Sequence, residues 1–285
     1  MSQLEKENNK SIAKENSDIF SKGYFTTSDG SNVSVRDNLE YAVKNSIYLK
    51  DPDFTEMDKR LRLETAKDRN TKIEITGEST FQGAKRILEE KGQRVVVLNF
   101  ASATNPGGGY LNGARAQEED LCRTSALYPC LIQFLEFYQF HRDQKSFLYS
   151  DKMIYSPDVP LFRDDSMTLQ KKIYRISVIT SAAPAMIDVA VGDTESFIKG
   201  GRALDLRIEK LLSLMLSKKY TNIILGAWGC GAFLNDPKVV SKLFKKHLTH
   251  GGRFENKFDR VLFAIRDNKT TENKRIFSEQ FGIDD

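Results

Sequence analysis

Short β-branched apolar runs alternate with charged amphipathic stretches along this chain, and that alternation predicts most of its elements. VVVLNF at Val95–Phe100 has the pattern of a strand buried on both faces. Tyr174–Ser181 (YRISVITS), Asn222–Ala227 (NIILGA) and Val261–Ile265 (VLFAI) read the same way. Lys72–Thr76 (KIEIT) alternates as a half-exposed strand, and Met153–Ser156 gives a short strand that Pro157 should end. Aromatic and β-branched residues flank Asp29-Gly30 within Gly23–Val35, which predicts a hairpin. Helical patterns cover about Arg36–Leu49 and Phe54–Asp68. Ser79 caps a further helix with Phe81, Ala84, Ile87 and Leu88 on one face, and Gly92 stops it. Gln117–Phe140 reads as two helices broken near Pro129. The aromatics of its second part, LIQFLEFYQF, suit a helix packed on a sheet better than a base-stacking surface. Pro184–Lys199 reads as a loop or a helix entrance. Leu204–Leu216, Asp236–His250 and a segment ending near Phe281 complete the helices. Strands alternating with helices from Thr80 onward predict parallel strands in a layered α/β domain.

The first 16 residues depart from this order. They are polar, with only Leu4, Ile12 and Ala13 to bury, so residues 1–16 read as a flexible tail. Deleting them is expected to change stability by no more than about 1 kcal/mol. Residues 17–78 then form an extension packed on the core, and residues 79–285 the core itself, in one structural unit. No internal repeat or Pro/Gly/Ser-rich linker divides the chain.

Composition narrows the class without choosing a function. The 285 residues can bury a substantial core, and a net charge of +4 neither demands nor excludes a polyanion. No apolar run approaches the roughly 20 residues that cross a bilayer, and the N-terminus has no signal-peptide core. Cys122, Cys130 and Cys230 lack zinc-ligand spacing and are odd in number, so neither a metal site nor a disulfide framework is expected. The chain reads as a cytoplasmic monomer with no cofactor, no membrane partner and no sequence-specific nucleic-acid partner.

The chemistry concentrates after Val95–Phe100. The strand gives way to Asn105-Pro106, then Gly107, Gly108 and Gly109, a second turn at Asn112-Gly113, and a helical pattern opening on Gln117-Glu118-Glu119. Three glycines are costly to order and useful where backbone must approach a ligand closely. A second glycine loop, Gly229-Cys230-Gly231-Ala232-Phe233, follows another buried strand. Ligands of open α/β sheets bind outside such carboxyl ends, so two loops of this kind would suit a diphosphate flanked by sugars. A tight turn with no ligand is the plain alternative for the second loop. No G-x-G-x-x-G or G-x-x-x-x-G-K-[ST] is present, and the three histidines lie outside hydrolase patterns. Favourable dipole placement explains acidic residues in a first helical turn, but not the glycines before them. Adjacent helix residues point about 100° apart, so Glu118 and Glu119 cannot straddle one glycosidic bond as paired carboxylates do.

LNFASATNPGGGYLNGARAQEEDLCRTSALY resembles the signature of the bacterial-type poly(ADP-ribose) glycohydrolases: three glycines, a short spacer, then Gln-Glu-Glu. TSAAP (Thr180–Pro184), LGAWGCGAF (Leu225–Phe233) and Asn235-Asp236-Pro237 match that family in order, and the match is looser before Thr80. The resemblance implies a macrodomain-like, three-layer α/β/α fold with a mostly parallel central mixed sheet and an N-terminal helical extension. It implies hydrolysis of ribose–ribose bonds in poly(ADP-ribose), releasing ADP-ribose. Glu119 would then be the general acid/base, with Glu118 on ribose hydroxyls. Gln117 would fix the loop, Asn105 would meet the distal ribose, and Gly107–Gly109 would border the substrate. Gly229, Cys230, Gly231 and Ala232 would wrap the diphosphate, with Phe233 near the distal ribose. Leu234 stands where the family pattern has glycine, and Ala185 where it has asparagine. A non-catalytic ADP-ribose reader and a mono-ADP-ribosyl-protein hydrolase are the alternatives on the same fold.

Overall fold

The computed structural model describes residues 2–63, 68–90, 92–267 and 272–283. In chain order the elements are α1 (Gln3–Lys22), β1 (Tyr24–Thr26), β2 (Asn32–Ser34), α2 (Arg36–Asn45), β3 (Ile47–Leu49) and α3 (Asp51–Leu63). There follow β4 (Lys72–Thr76), α4 (Thr80–Glu89), β5 (Val95–Phe100), α5 (Gln117–Thr124), α6 (Leu127–Ile132) and α7 (Leu135–Gln144). The last are β6 (Met153–Arg163), β7 (Leu169–Ser181), α8 (Thr194–Ser217), β8 (Asn222–Leu225), α9 (Pro237–Leu248), β9 (Arg260–Ala264) and α10 (Asn273–Phe281). Strands β1 and β2 form the expected hairpin. The other seven pair in the order β3-β6-β7-β5-β8-β9-β4, a mixed and mostly parallel sheet. The β5–β8, β8–β9 and β9–β4 pairs are parallel, whereas β6 and β7 are antiparallel. No helix among the described residues is long and apolar enough to cross a membrane.

The chain folds into two compact units, each assembled from several segments. The first comprises Met1–Tyr48, Asn99–Asp143 and Met153–Ser181; the second comprises Leu49–Leu98, Gln144–Lys152 and Ala182–Asp285. These boundaries do not follow the expected ones at residues 16 and 78. In the first unit, β6 is buried along almost its whole length and β7 from Ile176 to Ser181, and α2 and α6 pack on β6. In the second, α4 covers β8 and β9 through Phe81, Ala84 and Ile87, and α8 packs against α3 and α9.

The expected tail is a helix. Ser2 and Glu5 form a capping box at the start of α1, and Gly23 ends it in the left-handed conformation at φ 78°. The helix buries Asn9, Ile12, Ala13, Asn16 and Ile19. Two of these five are asparagines hydrogen-bonded to other segments, which is why hydrophobic patterning alone gives no helix here. Removing residues 2–22 is expected to lower stability by at least about 3 kcal/mol, from the lost burial of two isoleucines and the polar groups left unpaired. Chemical denaturation of the truncated chain checks this, and an unchanged midpoint would contradict it.

Three smaller expectations are also corrected. Pro157 does not end its strand: β6 continues through an irregularity between Ser156 and Val159, where a proline costs no ladder bond. Pro129 does not break a helix but lies in the first turn of α6, where no intrahelical donor is needed; the interruptions fall at Ser125–Ala126 and Gln133–Phe134. The stretch Arg36–Leu49 holds a helix and then the three-residue strand β3, which is too short to show a period. The helix expected over Phe54–Asp68 is present to Leu63, and its residues 64–67 lie outside the described residues.

Candidate active site

In the first unit the backbone from Asn99 to α5 sets two carboxylates against a run of glycines. Asn99, the next-to-last residue of β5, is fully buried, and beyond Phe100 the chain turns through Ser102 into the glycine loop. Ser102 Oγ accepts from the Asn105 N–H at 3.1 Å, and the Gly108 N–H donates to the Asn105 carbonyl at 3.0 Å. Gly107 and Gly108 have φ of 67° and 58°, the left-handed region that side chains resist. Space forbids side chains as well. A Cβ on Gly107 would come within 3.0 Å of the Tyr128 ring and 3.2 Å of Cys122 Sγ. On Gly108 it would collide with Glu119 Oε1 and come within 3.0 Å of Glu118 Oε2. The triplet is thus needed because two carboxylates lie directly against it.

Helix α5 presents those carboxylates from its first turn. Gln117 Oε1 accepts from the Phe100 N–H at 2.8 Å, which ties the start of α5 to the end of β5. Glu118 is buried, and both its oxygens are occupied. Oε1 accepts from Asn99 Nδ2 at 3.0 Å, and Oε2 accepts from the Ser102 N–H at 2.7 Å. Asn99 Nδ2 also donates to Thr180 Oγ1 of β7 at 3.2 Å. Glu119 is bound on one side only. Its Oε1 accepts from the Gly109 N–H at 2.8 Å, and its buried Oε2 has no hydrogen-bond partner among the described residues. A carboxylate oxygen held in place and left unsatisfied is suited to a ligand hydroxyl, a water or a proton.

Burial pushes the Glu118 carboxyl from its ordinary 4.5 up to about 8; the Ser102 N–H and Asn99 oppose this, and the Glu119 charge adds to it. Folded Glu118 keeps a proton that the unfolded chain has released. Its contribution to stability is whole below pH 4.5 and is lost as pH rises through about 8. Relative to wild type, Glu118→Gln should gain stability between pH 5 and pH 8.5, by an amount on the order of a few kcal/mol. Denaturation curves of both proteins at the two pH values test this, and a constant difference would contradict it.

The second loop lies in the second unit and is described there by itself. Gly229 has φ 73°, and a Cβ on it would meet Asn235 Nδ2 at 2.5 Å and Ala183 Cβ at 2.6 Å. Asn235 Nδ2 donates to the carbonyls of Pro184 (2.8 Å) and Gly229 (3.2 Å), so Asn235 and Pro184 brace the turn. The N–H groups of Gly231, Ala232 and Phe233 make no hydrogen bond among the described residues. Successive unengaged N–H groups of this kind suit an anion. Gly231 lacks a positive φ, and a Cβ there would meet nothing within 4 Å. Burial pushes the Cys230 thiol well up, which leaves it a poor nucleophile. Leu234, at φ 54° and exposed, occupies a left-handed position, which explains the glycine expected there. Ala185 is buried, and its N–H donates to the Phe147 carbonyl at 2.7 Å.

Of the residues singled out from sequence, Asn105, Gly107, Gly108, Gly109, Gln117, Glu118 and Glu119 come together in the first unit. Gly229 to Phe233 form one turn in the second. Sequence reasoning missed Asn99 and Ser102. A polar residue inside the otherwise apolar run Val95–Phe100 was the available signal for Asn99. It also missed Tyr149, whose ring lies 5.8 Å from that of Phe233. Arg207 fixes that segment by donating to Asp151 (3.1 Å) and to the carbonyls of Leu148 (2.9 Å) and Ala182 (2.6 Å).

This combination of a glycine triplet seated on two helix-borne carboxylates with a separate braced glycine turn has close parallels. The family model described as microbial-type PARG, catalytic domain, matches residues 13–164. The chain is similar to the poly(ADP-ribose) glycohydrolase (PARG) structure from Thermomonospora curvata, with 38% identity and a TM-score of 0.92 over 96% of this chain and 100% of that one. The same enzyme bound to the inhibitor ADP-HPD gives 36% and 0.89, with the same shares covered. The Deinococcus radiodurans enzyme in complex with ADP-ribose gives 34% and 0.78, over 86% of this chain and 96% of that one. No curated protein matches. The chain belongs to the microbial-type PARG catalytic domain family, and its mixed, mostly parallel α/β sheet with helices is the macrodomain-like fold of those structures.

Proposed function

We propose that this chain is a poly(ADP-ribose) glycohydrolase that cleaves ribose–ribose O-glycosidic bonds and releases ADP-ribose, with Glu119 as the general acid/base. Family membership and the ligands of its structural neighbours, ADP-ribose and ADP-HPD, support the substrate class. The observation that carries the assignment to Glu119 is the unequal occupation of the two carboxylates. Glu118 has a donor on each oxygen, whereas Glu119 Oε2 has no partner among the described residues. In this reading Glu119 protonates the departing ribose 2′-oxygen as an oxocarbenium-like ribose forms, then takes a proton from the attacking water. Glu118 and Asn105 contact ribose hydroxyls, and Gln117 and Gly107 to Gly109 hold the shape of the loop. The turn from Gly229 to Ala232 wraps the diphosphate, which the unengaged N–H groups of Gly231 and Ala232 bind, while the Cys230 N–H donates to the Ala227 carbonyl at 3.1 Å; Phe233 lies against the distal ribose. No step uses a metal or cofactor. The three free thiols fit a reducing, cytoplasmic setting.

A side chain on Gly231 tests the second loop. The space around it means that Gly231→Val should fold, while its branched Cβ blocks close approach of an anion to the turn. ADP-ribose binding is expected to weaken at least about tenfold. Unchanged affinity by calorimetry in the folded variant would remove this loop from the binding site.

A further inference from the structure

Helix α1 reaches the carboxylate helix through one buried amide. Asn16 is fully buried, and its Oδ1 accepts from Arg163 Nε at 2.9 Å. A guanidinium only donates, so this contact fixes the orientation of the amide. Nδ2 must then face acceptors, and it does: the Arg123 carbonyl at 2.8 Å, the Tyr110 hydroxyl at 3.3 Å and the Cys122 carbonyl at 3.5 Å. The two carbonyls belong to the last turn of α5, where helix carbonyls have no intrahelical partner. Arg163 is itself held by Glu15 (2.6 Å) and the Met167 carbonyl (2.7 Å). Asn9, two turns earlier on α1, donates to the Gly113 carbonyl at 3.1 Å. Gly113 lies so close to α1 that a Cβ on it would collide with the Lys6 carbonyl.

We infer that Asn16 is a positioning residue for the acid/base: it fixes both sides of the hydrogen bond between the Gly109 N–H and Glu119 Oε1. Tyr110 follows Gly109 directly, and Arg123 lies about one turn, roughly 6 Å, beyond Glu119 along α5. Gln117 and Glu118 hold the first turn of this eight-residue helix and Asn16 holds its last, so release at the far end lets the short helix shift and displaces the carboxylate at its near end. Asparagine supplies its acceptor oxygen and its donor NH2 on separate atoms, so one short side chain can face Arg163 on one side and the carbonyls on the other. Aspartate would keep the Arg163 contact but set an oxygen against two carbonyls, and alanine would lose both.

The inference rests on Glu119 being the acid, so the test reads position as well as rate. Asn16→Asp and Asn16→Ala are compared with Ile19→Ala, a packing loss on the same helix, in melting temperature, ADP-ribose affinity, and kcat and KM on poly(ADP-ribose). Both Asn16 variants should lose about 10- to 100-fold in kcat, since small misplacements of a catalytic group cost that much, with ADP-ribose affinity within about threefold of wild type. Ile19→Ala should melt earlier and keep its kcat. Wild-type kcat in a folded Asn16 variant, or an equal kcat loss in Ile19→Ala, would overturn the inference. If neither Asn16 variant folds, Tyr110→Phe removes one of the three acceptors. A reduced kcat at unchanged affinity then supports the inference, and wild-type kcat overturns it. A crystal structure of Asn16→Asp, or of Tyr110→Phe, needs no activity: loss of the Gly109–Glu119 bond is expected, and its retention would overturn the inference. Inactive wild type would instead overturn the glycohydrolase reading and leave this structural readout to decide.

Discussion

Glu119→Gln should lower polymer turnover by roughly 10³-fold or more, because a single group serving as acid and then base carries the upper end of what general catalysis contributes. The amide keeps the size of the side chain and can still accept from the Gly109 N–H, but it cannot exchange a proton at neutral pH. ADP-ribose affinity is therefore expected within about tenfold of wild type. Glu118→Gln should differ in kind. Both its oxygens are engaged by Asn99 and the Ser102 N–H, so an amide there disturbs the frame as well as the ribose contacts. It should lose binding and rate together and keep more residual turnover than the Glu119 variant. Both variants need to be shown folded, then assayed for released ADP-ribose and for binding. A dead Glu118→Gln beside an active Glu119→Gln would move the acid to the other carboxylate.

Gly108→Ala should also be damaging, although it replaces no ionisable group. The new methyl would be directed at Glu119 Oε1 and Glu118 Oε2 from a residue at φ 58°, so the loop and the carboxylates must move apart. A displacement on the order of 1 Å of a catalytic group costs about 10²-fold, and that loss is expected in kcat. The melting temperature should fall less than the turnover, because the strain is confined to the glycine loop and the two carboxylates against it. Kinetics and melting on the same preparation check this. Wild-type turnover would mean that the glycine triplet does not position Glu119.

The parts of this fold legible in the sequence are those in which burial and period coincide. Strands β4, β5, β8 and β9 were readable because each is a compact β-branched or alternating run. Helix α1 was not, because its buried face includes Asn9 and Asn16, and hydrogen-bonded asparagines carry no hydrophobic signal. Strand β3 is three residues long, and β6 carries a proline at an irregularity that only its pairing with β7 explains. In the site, the glycine triplet and Gln-Glu-Glu were legible because their backbone and charge requirements are local. Asn99 and Ser102, which hold Glu118, were not, because their importance lies in contacts made 16 to 19 positions along the chain. The Gly229–Phe233 turn was legible as a loop, but the reason for its first glycine, contact with Ala183 and Asn235, is tertiary.

The most direct test is incubation of wild-type protein with defined poly(ADP-ribose) and, in parallel, with mono-ADP-ribosylated protein, reading released ADP-ribose by chromatography. Release of ADP-ribose from the polymer, abolished by Glu119→Gln, is the predicted result. Tight ADP-ribose binding with no release from polymer, or release from the mono-modified protein alone, would contradict the account.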